Sequence, residues 1–204
     1  MTTATASGRA GRLRLRRRLA AAQRASDLLD RKRRILAGEL ERLELVAQRA
    51  EAEWERCAEH AAGWLGRSAA LDGQRGLAAA TPNAPATVQV ERRSAMGVDY
   101  PVHATVRPSD APVRPGSSAL VYTIAAHREA LEAAVLHGVA TRAVAVLEAE
   151  LAATRSRQRA IENRWVPRLE EALRTLETQL DELDREENVR LRWAAARLED
   201  GGGL

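Results

Sequence analysis

The chain has 204 residues, of which 29% are charged and 3% aromatic, with no phenylalanine, and much of its apolar 45% is alanine. Large apolar side chains dominate core energetics, so this composition excludes a thick, multilayered core and suits a narrow apolar seam between long helices. The formal net charge of +4 raises the question of nucleic acid or membrane partners, while the single cysteine, Cys57, excludes an intramolecular disulfide and points to a reduced cytosolic setting.

No run long and apolar enough to span a bilayer is expected. Arg16-Arg17-Arg18 and Leu19 to Ala22 resemble a secretion signal only superficially, because the apolar part stops at Gln23-Arg24 and Asp27 and Asp30 follow. Lys32 is the only lysine, a skew that GC-rich coding produces, so the abundance of arginine carries no function by itself.

Residues 1–10 are small and polar and read as a flexible start. A first helix is expected over 11–79. Its seam steps through Leu15, Leu19, Ala22, Ser26, Leu29, Arg33, Leu36, Leu40, Leu43, Ala47, Ala50, Trp54, Cys57, Ala61 and Trp64, alternating four and three as in a coiled coil. Glycines thicken at Gly63, Gly66, Gly73 and Gly76, and Thr81-Pro82-Asn83-Ala84-Pro85 stops the helix. An insertion over 80–117 follows. Thr87 to Glu91 alternates, Ser94-Ala95-Met96-Gly97 can turn, and the chain returns with Tyr100, Val102, Ala104 and Val106 on one side. This predicts a β-hairpin whose second strand, carrying Pro101, is an edge. A two-stranded hairpin is marginal alone and must lean on the helices or on another protein.

Ser117 or Ser118 can cap a second helix over 118–199, with residues 200–204 as a frayed tail. Each helix would be on the order of 100 Å long. The second seam runs Leu147, Leu151, Thr154, Gln158, Ile161, Trp165, then Leu169, Leu173, Leu176, Leu180 and Leu183, with one extra residue in the phase about Pro167. That slip predicts local unwinding or a kink at Pro167 rather than a helix end. The fold class expected is therefore all-α, a long antiparallel two-helix coiled coil with a small central β-hairpin. Facing residue numbers should sum to about 198. That register sets Arg14, Arg16, Arg17 and Arg18 beside Asp181, Glu182, Asp184, Glu186 and Glu187, and Arg155, Arg157 and Arg159 beside Glu39, Glu41 and Glu44.

The run Thr154-Arg155-x-Arg157-x-x-Ala160-Ile161-Glu162, with Val166-Pro167-Arg168-Leu169-Glu170 after it, resembles the signature of the D subunits of the vacuolar/archaeal-type rotary ATPases. Leu180-Asp181-Glu182-x-x-Arg185-Glu186-Glu187 is similar to that family's ending, and Arg12-Leu13-x-Leu15-x-x-x-Leu19 with Leu28-Leu29-x-x-Lys32-Arg33 to its first helix. Met96-Gly97-Val98 and Pro101 resemble its central hairpin. The resemblance implies a non-catalytic central-stalk rotor shaft. It would transmit torque between a head of catalytic and nucleotide-binding subunits, A and B, and an ion-translocating membrane ring. Its other implied partners are the small F stalk subunit and the C/d funnel subunit. The implied location is cytoplasmic and peripheral to the membrane, with no nucleic acid bound and no span of its own.

No catalytic constellation stands out. No phosphate-cradling Gly-x-x-x-x-Gly-Lys loop exists. Cys57 and His60 are three apart but lack a third ligand, and no metal or cofactor is expected. Arg155, Arg157, Arg159 and Arg164 read either as bearing contacts with acidic loops or as a solvated, internally paired face. Pro167 reads as a deliberate bend or a tolerated kink. Trp54, Trp64, Trp165 and Trp193 read as seam or flank packing. The Met96-Gly97-Val98 hairpin reads as a modulator of hydrolysis, a dock for the funnel subunit, or a plain connection. Against the rotor stand a generic coiled-coil scaffold and a basic nucleic-acid-binding coiled coil using Arg12 to Arg18.

Overall fold

A computed structural model describes residues 8–82, 84–109 and 115–200, and the side chains up to residue 197. The expected free start and tail, and the middle of the proline-rich loop, fall largely outside these residues. The elements, in order, are α1 (Gly8–Ala80), β1 (Thr87–Ala95), β2 (Val98–Arg107), α2 (Ser118–Ala160), a π-helical turn (Ile161–Trp165) and α3 (Val166–Asp200). The class is all-α with a two-stranded antiparallel hairpin between long helices. The chain divides into two compact units, one of Met1–Arg31 with Thr154–Leu204, the other of Lys32–Ala153.

In the first unit, the start of α1 runs antiparallel to α3. Half-buried Leu15, Leu19, Ala22, Ser26 and Leu29 supply one side, and Gln158, Ile161, Val166, Leu169, Leu173 and Leu180 the other, with Thr154 and Leu176 buried. The core is one seam wide, as the scarcity of large apolar residues dictates. Arg16 pairs with Glu177 at 2.6 Å and Arg9 with Asp184 at 3.7 Å. The acidic stretch expected opposite Arg14 to Arg18 therefore lies further along: Glu182 and Glu186 instead hold Arg185 and Arg190 on their own helix.

The second unit pairs the rest of α1 with α2. Its buried residues on α2 are mostly alanines (Ala119, Ala126, Ala133, Ala140 and Ala143), whose small side chains let the helix backbones approach. An 18-residue stretch of the helix over Ser118–Arg197 is apolar enough, by length and composition, to pass for a membrane span. This departs from the expectation of none, and alanine explains it: the residues that give close packing against α1 also lower polarity. Trp54 stacks on His137 at 5.3 Å, and Ser68 meets Thr123 through their hydroxyls at 2.6 Å. Both contacts fall about seven residues nearer the start of α2 than a symmetric hairpin requires. The cause is Gly73, whose backbone (φ 66, ψ −177) breaks α1 before its last turns. Positive φ is open to glycine at little steric cost. At that break Ser117 meets Asp72, not a residue near 81: its hydroxyl donates to Asp72 Oδ2 at 2.5 Å and accepts the Leu120 N–H at 3.2 Å. Of the two candidate caps, Ser117 is the N-cap of α2.

The hairpin turns through Met96 (φ 50) and Gly97 (φ 77), between the paired residues Ala95 and Val98. Two successive left-handed residues form the I′ turn that matches strand twist. Arg92 faces Pro101 and Glu91 faces His103, which leaves Val102 as the extra residue of a bulge. A proline has no N–H for the ladder, and the irregularity sits beside it.

Candidate functional site

Two places combine unusual geometry with the residues singled out by the sequence. The first is where the hairpin meets the helices. Val98 and Tyr100 of β2 pack into a cluster with Leu36, Leu43, Ala143, Leu147 and Leu151, and Val102 and Ala95 lean on it. β1 is exposed along its length except at Ala95. The hairpin therefore lies along the paired helices instead of merely linking their ends. Met96 is exposed at the turn, whereas Val98 and Pro101 are buried.

Tyr100 has no exposed surface, and its hydroxyl donates to Glu39 Oε1 at 2.6 Å. Arg42 grips the same carboxylate with both Nη2 (2.6 Å) and Nε (3.1 Å). The Arg42 guanidinium, with Tyr100 adding to it against the opposing effect of burial, holds the Glu39 carboxyl down at about 2. Burial, reinforced by the Glu39 charge, pushes the Tyr100 phenol above its ordinary value. Glu39 was expected beside the arginines around Arg157. It is occupied by Arg42 and Tyr100 instead. Nothing in helical periodicity marks Glu39, because its importance comes from a residue sixty-one positions away.

The second place is the signature run. Thr154 is fully buried, and its hydroxyl has no hydrogen-bond partner among the described residues. Glu162 accepts from Ser26 at 2.7 Å and from Gln158 at 2.9 Å. Around it the helix widens into one π turn, Ile161–Trp165, closed by the Val166 N–H bonding to the Ile161 carbonyl. The extra residue of the seam is housed here, so the phase slip lies just before Pro167. The seam passes from half-buried Ile161 to half-buried Val166, a step of five, then to Leu169 and Leu173. Trp165, read as a seam residue, is rotated outward and is 59% exposed. Leu183 and Trp193 are likewise exposed at 58% and 70%. Trp54 sits at the seam edge, half covered by the His137 ring.

Arg155, Arg157, Arg159, Arg164 and Arg168 are all exposed. Further along the same helix Arg174, Arg185 and Arg190 each pair with a glutamate three or four residues away. Among the described residues Arg155, Arg159, Arg164 and Arg168 form no ion pair. Cys57 is buried, which pushes its thiol above the ordinary range, and His60 accepts the Trp64 indole N–H at 3.0 Å. Among the described residues no group of three or more His, Cys, Asp or Glu is placed to hold a metal.

The paired helices, the docked hairpin and the interrupted signature helix all fall within one family match. The model of the ATP synthase D-subunit family matches residues 12–196. The chain belongs to that family. It is 36% identical over 205 residues to the V-type ATP synthase D subunit of Anaeromyxobacter sp. (strain Fw109-5), covering 96% of this chain and 94% of the relative. It is 34% identical over 203 residues to the V-type ATP synthase D subunit of Anaeromyxobacter dehalogenans (strain 2CP-C), covering 94% and 96%. The match takes in both helices, the hairpin, the arginines and the π turn alike. Membership makes the chain one component of a rotary ATP synthase complex, and the geometry above belongs to a part of that assembly.

Proposed function

We propose that this chain is the central-stalk rotor shaft of a V/A-type ATP synthase, transmitting torque between the nucleotide-handling head and the ion-translocating membrane ring. The observation that carries the reading is the near full-length match to the D-subunit family, in a chain whose helices pair antiparallel within each of its two units. Two wound helices resist twisting better than one. A surface rich in solvated charge limits the apolar area by which a turning shaft could lock in its housing. Its asymmetry biases the conformations of the surrounding catalytic sites, and those sites in turn bias its angle, since coupling free energy is reciprocal.

On this reading the shaft does no chemistry of its own. It meets subunits A and B of the head, the small F stalk subunit and the C/d funnel subunit. It works in the cytoplasm at the membrane without spanning it. A basic nucleic-acid arm over Arg12 to Arg18 finds less support, because Leu15 and Leu19 of the same turns are half-buried against α3 and Arg16 pairs with Glu177. The test is reconstitution: the purified chain added to a shaft-free head from its own host should bind and confer rotation-coupled ATP hydrolysis. A head that neither binds the chain nor changes its hydrolysis rate overturns the proposal.

A further inference from the structure

We propose that Trp165, with the arginines on either side of it, is an anchor for an acidic protein surface: an apolar socket rimmed by carboxylates on the subunits that enclose the shaft. The inference rests on the rotor reading and adds to it the residues that make the grip.

Charge marks this stretch, as it marks Arg12 to Arg18, where Arg16 already pairs with Glu177. Between Thr154 and Arg168 the sequence holds five arginines and one glutamate, a surplus of four that equals the formal net charge of the entire chain, +4. The one glutamate is already engaged by Ser26 and Gln158. Further along the same helix three arginines carry counter-charge three or four residues away: Arg174 has Glu171, Arg185 has Glu182 and Arg190 has Glu186. Arg155 and Arg159 instead stand one helical turn apart, a like-charge spacing that disfavours an isolated helix. Arg155, Arg159, Arg164 and Arg168, which form no ion pair among the described residues, are complementary to negative charge from outside.

The π turn supplies the second, independent feature. By sequence phase Trp165 belongs in the seam; the inserted residue gives that place to Val166 and turns the indole to solvent. Trp165 makes no ring or cation contact among the described residues, unlike Trp54 and Trp64, which stack on His137 and Tyr122. Tryptophan and arginine are the residue types that most often dominate binding energy, and π turns recur at functional positions. Arg155 and Arg157 are two residues apart and so point to different sides of the helix. Cations spread around a helix match a partner that surrounds it, not a nucleic-acid strand lying along one side.

The test is an equilibrium titration of the full-length chain against the shaft-free head at low and high salt, with helicity checked by circular dichroism. Trp165→Ala should weaken binding about thirtyfold, and Trp165→Phe should recover most of it. Arg164→Gln with Arg168→Gln should weaken binding at low salt, with the difference shrinking as salt rises. Arg56→Gln, which breaks a local pair with Glu53, should leave binding unchanged. If Trp165→Ala loses helicity, the double arginine variant decides. Wild-type affinity in all variants overturns the anchor and leaves the rotor reading standing. Failure of the wild-type chain to bind the head defeats the rotor reading itself. Tighter binding to duplex DNA than to the head, lost in the same variants, overturns the anchor in favour of a nucleic-acid site.

Discussion

Tyr100→Phe isolates one hydroxyl in the contact that holds the hairpin on the helices. The ring is fully buried and stays, so packing with Leu36, Leu43, Leu147 and Leu151 is conserved. What is lost is the 2.6 Å bond to Glu39. A hydrogen bond to a charged acceptor contributes about 1.5–3 kcal/mol. Arg42 still grips the carboxylate, so Glu39 is not left unpaired and the lower end applies, about 1.5 kcal/mol, or roughly a tenfold change in the docking equilibrium. Hydrogen exchange at fixed pH reads this directly. Amides of β1 and β2 should exchange about tenfold faster, while those of α1 near Leu15 and Leu19 keep their rates. Unchanged hairpin protection, or equal acceleration in every element, would refute the reasoning.

The same contact has a pH signature. Glu39 falls from 4.5 to about 2 in the folded chain, so its stabilisation is complete above pH 4.5 and is lost as pH drops towards 2. The Tyr100 phenol is raised above 10.0, so its contribution is full below pH 10.0 and is lost as pH climbs beyond. Val98 methyl resonances should report undocking at both extremes in the parent chain. Tyr100→Phe should abolish the alkaline limb and keep the acid one.

Three further outcomes follow from the fold. Deleting Asn163 together with Pro167→Ala removes the extra residue and the helix-breaking ring, so the seam becomes a regular four-three repeat; helicity and melting temperature should hold or rise, whereas deleting Arg174 should mis-phase Leu176 and Leu180 and lower both. Ser117→Ala removes the cap of α2 and the link to Asp72 and should cost about 1–2 kcal/mol, read as a lower denaturation midpoint in urea. Leu147→Ala, at a fully buried position beneath the hairpin, should cost about 2–5 kcal/mol in the same measurement, and a loss under 1 kcal/mol would show the site able to collapse.

Much of this molecule was legible in its sequence because helical and strand periodicities are local. The four-three spacing from Leu15 to Trp64 runs over positions that are buried or half-buried save Trp54, and Met96-Gly97 lies at the turn between alternating stretches. The phase slip at Pro167 announced an irregularity that the π turn embodies. Spacing counted the extra residue but did not say which neighbour would be expelled. Val166 and Trp165 are both apolar, and only packing against the start of α1 decides that the smaller one stays inside. The pairing register was also beyond the sequence, because it depends on a single left-handed residue, Gly73, among four similar glycines. The grip of Tyr100 on Glu39 joins residues far apart in the chain, and it exists only because the hairpin lies back along the helices. Sequence thus determined the elements and their apolar faces, which follow from backbone geometry; tertiary structure decided register, exposure and long-range pairing, which follow from where the chain breaks and folds back.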